Sequence, residues 1–213
     1  MQIKTRQRVR DLAEVYTHSR EVNAMLDLVG DMFPTEDNPE AVDFKFFEPA
    51  AGSGNFLEEI LRRKLDWLWL DTKRPLRDYE HLILRALASI YAVDIDAENV
   101  AESKARLRGQ IQSYVDNYLN TRVPSAGFAT AVEAILDTNI IRANTLTDLD
   151  RIEWVDYKPR AGGAFLREWS TAGEPVEADL FTTAKRDERP MKYGALADHP
   201  GPVAKAARKA VVA

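Results

Sequence analysis

The sequence predicts an α/β fold: a mostly parallel sheet with helices on both faces, followed by a C-terminal hairpin. Three observations carry this expectation. Short strand-like runs alternate with segments of helical periodicity, without an internal repeat. The run "YAVDID" ends in acids, as expected of a strand that delivers polar groups to one edge of a sheet. Late in the chain, Gly162-Gly163 separates two strand-like runs carrying Trp154, Tyr157, Phe165 and Trp169, the pattern of a hairpin.

Taken in order, the chain becomes helical from about Ser19, with Val22, Met25, Leu26 and Val29 on one face. "DFKFFEP" is a strand stopped by Pro49, which has no amide to donate. "NFLEEILRRKLDWLWL" is a helix that buries Phe56, Leu57, Ile60, Leu61 and Leu65, with Trp67 and Trp69 at a buried end. "YEHLILRALASI" is a second helix leading directly into the strand "YAVDID". A long helix follows from Ala97 to about Tyr118, with Val100, Leu107, Ile111, Val115 and Tyr118 at helical spacing. "GFATAVEAIL" is another helix, and "TNIIRANTL" is a third strand running into a polar turn.

Composition narrows the classes of function. With 213 residues, 45% of them hydrophobic, the chain supports one sizeable domain. Disulfides and thiolate metal sites are excluded by the lack of cysteine, and three scattered histidines argue against a histidine metal site. No apolar run approaches the roughly 18 residues of a membrane span, and "MQIKTRQRVR" has no apolar signal core, so a cytoplasmic protein is expected. The net charge of −5 is uneven. Residues 1–10 carry four Lys/Arg and no acid, and 182–213 carry seven against three, whereas 11–181 carry 18 against 31. The expected organisation is a basic arm over 1–12, a folded body over 13–181 and a mobile basic tail over 182–213. Such ends are suited to contacting DNA phosphates.

The turn in "FFEPAAGSGNFL" is the most informative stretch. In an open α/β sheet, ligands bind beyond the carboxyl ends of the strands. A phosphate loop needs Gly-Lys-Ser/Thr, but Gly54 is followed by Asn55 and Phe56. A dinucleotide fingerprint needs a third glycine where Leu57 stands. Glu48 beside the turn would repel a pyrophosphate and attract an ammonium or sulfonium cation.

These residues resemble the first motif of S-adenosylmethionine-dependent DNA N6-adenine methyltransferases of the restriction-modification type. The resemblance implies a Rossmann-like methyltransferase fold and S-adenosylmethionine as cofactor. It implies that Glu48 and Ala50 face the methionine end, while Gly52 and Gly54 allow close backbone approach. "IYAVDIDAENV" resembles the second motif, implying that Asp94 accepts from both ribose hydroxyls and Ile95 lies against the adenine ring. Tyr16-Thr17 resembles the segment in which a threonine holds the cofactor carboxylate, with His18 where proline is usual. Asn144 stands where the family has an aspartate that accepts from the adenine amino group. The resemblance spans about Ala13 to Leu146.

One element of the family is missing. Its Asn/Asp-Pro-Pro-aromatic turn holds the flipped base, and the sequence has no Pro-Pro. No catalytic residue is assigned. Fewer than 70 residues follow Leu146, little room for a domain that reads DNA sequence. Three classes of function follow. One is an adenine methyltransferase-like, cofactor-binding protein that belongs to or acts on a restriction-modification system, with a specificity or catalytic partner subunit. A second is a silent cofactor-binding regulator or phage anti-restriction decoy. The third is an interaction protein that keeps only the fold. Neither a metal nor a membrane is expected.

Overall fold

The computed structural model describes residues 17–68, 76–118, 124–171 and 185–204. Its order is α1 (Ser19–Asp27), β1 (Phe46–Glu48), α2 (Asn55–Leu68), α3 (Leu76–Ala88), β2 (Ile90–Asp94), α4 (Ala97–Tyr118), α5 (Phe128–Asn139) and β3 (Ile140–Arg142). Then come β4 (Glu153–Arg160), β5 (Ala164–Thr171) and β6 (Met191–Lys192). Strands β1, β2 and β3 form a parallel sheet in that order, with Glu48 beside Ala92 and Asp94 beside Arg142. All of β2 is buried, as a central parallel strand covered on both faces must be. Helices α2 and α4 pack together on the sheet, as do α3 and α5.

The alternation of strand and helix therefore reads correctly, with local differences. In α1 only Val22 and Leu26 are buried; Met25 is 56% exposed and Val29 has left the helix. The helix stops at Asp27 because the next residues turn into a short 3₁₀ segment. Trp69 lies outside the described residues. The hairpin does not extend the parallel sheet. It forms a second, antiparallel sheet in the order β4-β5-β6, with Gly162 and Gly163 supplying left-handed backbone at its tip.

Residues 185–204 are not a mobile tail. Asp187 is fully buried and pairs with Arg167 of β5 at 2.8 Å. Arg167 also donates to the carbonyls of His199 and Gly201, and Asp187 accepts from the Val203 amide. Two of the tail's cations are engaged as well, Lys185 with Glu153 and Lys192 with the Gly162 carbonyl. Such a buried pair is tolerated because further hydrogen bonds to backbone groups offset the desolvation of both charges. Tyr193 and Leu196 add apolar burial, and Tyr193 donates to the buried Glu80 carboxylate of α3, which also accepts from Ser125. Residues 1–16, 172–184 and 205–213 lie outside the described residues, so the arm and the far tail are not placed. Among the described residues, no helix is long and apolar enough to cross a membrane.

The apolar stripe of α2 runs through Leu57, Ile60, Leu61, Leu65 and Leu68, and Lys64 sits within it, fully buried. Its ammonium donates to the carbonyls of Val42 and Phe44 and to Ser89 Oγ, at 2.6–2.9 Å, and lies 5.1 Å from the Phe46 ring centre. The lysine thus fastens the loop before β1 to α2. Burial pushes its pKa down to about 7, against the opposing pull of Asp43. Because the unfolded chain holds that proton more tightly, stability should rise as pH increases from about 7 and level off near the unfolded value of about 10.4. Urea titrations should show Lys64→Met destabilised by about 1–3 kcal/mol near pH 9, because the buried Val42 carbonyl and the part-buried Phe44 carbonyl lose their donor. The gap should narrow toward pH 7, and a gap that widens instead would contradict this account.

Candidate functional site

The turns after β1, β2 and β3 meet at one edge of the sheet. The ladder continues past β1, with the Ala51 amide donating to the Val93 carbonyl at 2.9 Å, and past β3, with the Ala143 amide donating to the Asp94 backbone carbonyl at 3.0 Å. Asp94 sits where these meet and is 8% exposed. Its Oδ2 accepts from the Gly52 amide at 2.7 Å, while Oδ1 accepts from the Asp96 amide at 2.8 Å and from Asn99 Nδ2 at 3.3 Å. A carboxylate has about four acceptor positions, so three of them hold protein. Acceptance from two ribose hydroxyls at once therefore requires one of these bonds to yield. Asp96 points elsewhere: its side chain accepts from the Glu98 amide and caps α4.

The two glycines of the β1 turn have different reasons. Both are left-handed, Gly52 at φ +53° and Gly54 at φ +88°. A Cβ on Gly52 would meet open space, whereas one on Gly54 would lie 2.8 Å from Ser103 Oγ and 3.1 Å from its Cα. Gly54 is thus needed for the close approach of α4, and Gly52 alone has open space before it. Ser103 is fully buried and donates to the Gly52 carbonyl at 3.1 Å.

The rim completes the crevice. Glu48 is half-buried and one of its oxygens accepts from the Ala50 amide at 3.0 Å; the other has no partner among the described residues. Ala50 is exposed, and Ile95 is 53% exposed with its carbonyl held by Arg142 at 3.2 Å. The side-chain oxygen of Asn144, expected to face an adenine amino group, accepts from the Leu146 amide at 3.0 Å in its own turn. That turn is locked further: Thr145 donates to the Pro49 carbonyl at 2.6 Å, and Asn144 N–H donates to Asp148. The Asn144 amide, and then the Thr147 hydroxyl, hold the Asp148 carboxyl below its ordinary range. Thr17 stands on the other side, half-buried, with its carbonyl accepting from Asn55 Nδ2 at 3.1 Å.

The hairpin aromatics do not form an open platform. Tyr157 is buried with its hydroxyl on Thr138 at 2.9 Å, and burial raises its pKa to about 12. Phe165 and Trp169 are buried, and Trp154 sets its edge against Phe47 and Tyr91. Two clefts, of about 560 and 650 Å³, lie beside the crevice; neither is lined by Glu48, Gly52 or Asp94. The first runs between α1, α2 and α4 and reaches Asn55; the second lies between β3 and the hairpin. Among the described residues, no group of three His, Asp or Glu is placed to hold a metal.

The arrangement offers a buried acid, an acidic side chain at the rim and an exposed aliphatic side chain. That combination suits a small ligand with hydroxyls, a cationic centre and a flat apolar part. The chain matches no protein-family model, no curated protein and no solved structure in the comparisons made.

Residues on α4 escaped the sequence reading. Asn99, Ser103, Arg106 and Gln110 recur at intervals of three and four, a polar stripe on a helix otherwise read for its apolar positions. That period was the available signal. Urea denaturation should find Gly54→Ala destabilised by about 2–4 kcal/mol, through left-handed strain plus the Ser103 clash. Gly52→Ala should lose only the strain, about 1–2 kcal/mol. Equal losses would show that α4 does not depend on the missing Cβ.

Proposed function

We infer that the chain is an adenine methyltransferase-like domain that binds S-adenosylmethionine where the first two strand turns meet, without transferring the methyl group unaided. The observation that carries this reading is the Asp94 carboxylate at the end of the central strand, bonded to the left-handed Gly52 of the neighbouring turn. Glu48 and Ile95 flank it at the rim, in the order that the sequence resemblance implies. On this reading the cofactor supplies an activated methyl group on a sulfonium. Glu48 faces that positive end, Asp94 takes a ribose hydroxyl, and Ile95 supports the adenine.

Methyl transfer to a base requires the acceptor nitrogen to be aligned within about 3–3.5 Å of the methyl carbon. The side chains nearest in kind to a base-stacking group, Trp154 and Tyr157, are committed to packing. Any transfer to DNA would therefore draw on a partner subunit, within or against a restriction-modification system. Contact with DNA phosphates through the basic ends belongs to the same proposal.

Calorimetry with S-adenosylhomocysteine tests the ligand directly. The wild type should bind, and Ile95→Ser should weaken binding about fivefold to tenfold by removing apolar contact at an exposed position. Absence of heat at millimolar ligand with folded protein would end this reading. Tritiated methyl transfer to unmethylated bacterial DNA should stay at background for the lone chain. Turnover abolished by Glu48→Ala would overturn the claim of silence.

A further inference from the structure

A short chain of polar contacts, along the cleft that Asn55 and Arg106 line, joins α4 to the end of the glycine turn and to the segment before α1. Arg106 Nη1 donates to Asn55 Oδ1 at 2.7 Å, and its guanidinium is itself held by Glu102 at 3.0 Å and by Glu58 at 3.3 Å. With its oxygen taken by Arg106, the Asn55 amide can present only its nitrogen on the other side. That nitrogen donates to the Thr17 carbonyl across 38 positions of sequence. Asn55 is the first residue of α2 and follows Gly54 directly, so it belongs to the glycine turn as much as to the helix. Thr17 precedes α1, whose first helical bond runs from the Val22 amide to the His18 carbonyl.

We propose that Asn55, oriented by Arg106, is a positioning residue that holds the Thr17 segment against the glycine turn and so sets one wall of the ligand site. The proposal rests on the cofactor reading above for its ligand, but the tie itself is independent of it. A surface polar contact between two loosely held segments would have little effect. Here the donor sits on a turn fixed by Asp94 and Ser103, and the amide's orientation is fixed by a guanidinium with two acid partners. The wall is therefore held from α4 and α2. The other end of α1 is held separately, by Arg63 to Asn23 and Asp27.

The deciding variants are Asn55→Asp and Asn55→Ala in the full chain. The aspartate is isosteric, keeps an acceptor for Arg106 and places a negative charge at a helix N-terminus, so on helix grounds its stability should match or exceed the wild type. It has no donor for Thr17. Two measurements are made on each: affinity for S-adenosylhomocysteine by calorimetry, and hydrogen exchange of peptides covering residues 17–26. Both variants should lose about tenfold in affinity, the equivalent of one hydrogen bond, and exchange faster over 17–26, while Asn55→Asp melts no lower than the wild type. Arg106→Gln should give a smaller loss of the same kind. Wild-type affinity or unchanged exchange in Asn55→Asp overturns the proposal, and lost affinity with unchanged exchange does so too, since Asn55 would then act on the ligand directly. If the wild type binds no S-adenosylhomocysteine, the cofactor reading fails while exchange alone still decides the positioning role.

Discussion

The carboxylate of Asp94 joins parts of the chain that would otherwise be separate turns. It ends the central strand, receives the amide of Gly52 from the β1 turn, and is steadied by the Asp96 amide and Asn99 from the start of α4. A buried acid without these donors would carry a desolvation cost of several kcal/mol, so the turn must come to it in this shape. The left-handed backbone at Gly52 is what turns the amide inward, and Ser103 closes the other side by donating to the Gly52 carbonyl. The glycine turn is thus fixed from β2 and from α4 before any ligand enters. Preorganisation of this kind lowers the ordering cost of binding.

The same logic of satisfied buried charge organises the far side of the molecule. Arg167 and Asp187 would be costly apart, and together with the His199, Gly201 and Val203 backbone they draw 185–204 onto the hairpin. Tyr193 then reaches Glu80, which ties the second sheet to α3. Within the core, Lys64 does comparable work for the loop that leads into β1. Four buried ionisable side chains, Arg167, Asp187, Glu80 and Lys64, therefore join elements of the fold through hydrogen bonds as well as apolar packing.

What was legible from sequence follows from this division. The parallel sheet and its helices were visible because apolar periodicity wrote them: β2 is an unbroken buried run, and α4 begins at Ala97, as its spacing implies. Glu48, Gly52, Asp94 and Ile95 stood out as candidates because they lie in or beside two short turns, and the structure brings the Gly52 amide to the Asp94 carboxylate. The segment 185–204 was misread because its anchoring residues are charged, and charge in a stretch rich in Ala, Pro and Gly has the composition of a solvated tail. That the side-chain oxygen of Asn144 accepts from Leu146 within its own turn is a local contact that the residue name does not reveal. The link from Asn55 to Thr17 spans sequence distances that no local pattern encodes.

The central claim is that the ligand enters where the β1 and β2 turns meet, and amide NMR spectra of the isotope-labelled chain titrated with S-adenosylhomocysteine test it most directly. The account predicts saturable shifts centred on the amides of Ala50, Gly52, Gly54, Ile95 and Asp96, with little change in the hairpin. Shifts centred instead on Gly109 and Ser113, which line the cleft between α1, α2 and α4, or on Ile141 and Ile152, which line the cleft beside the hairpin, would contradict it, as would a spectrum that does not move at all.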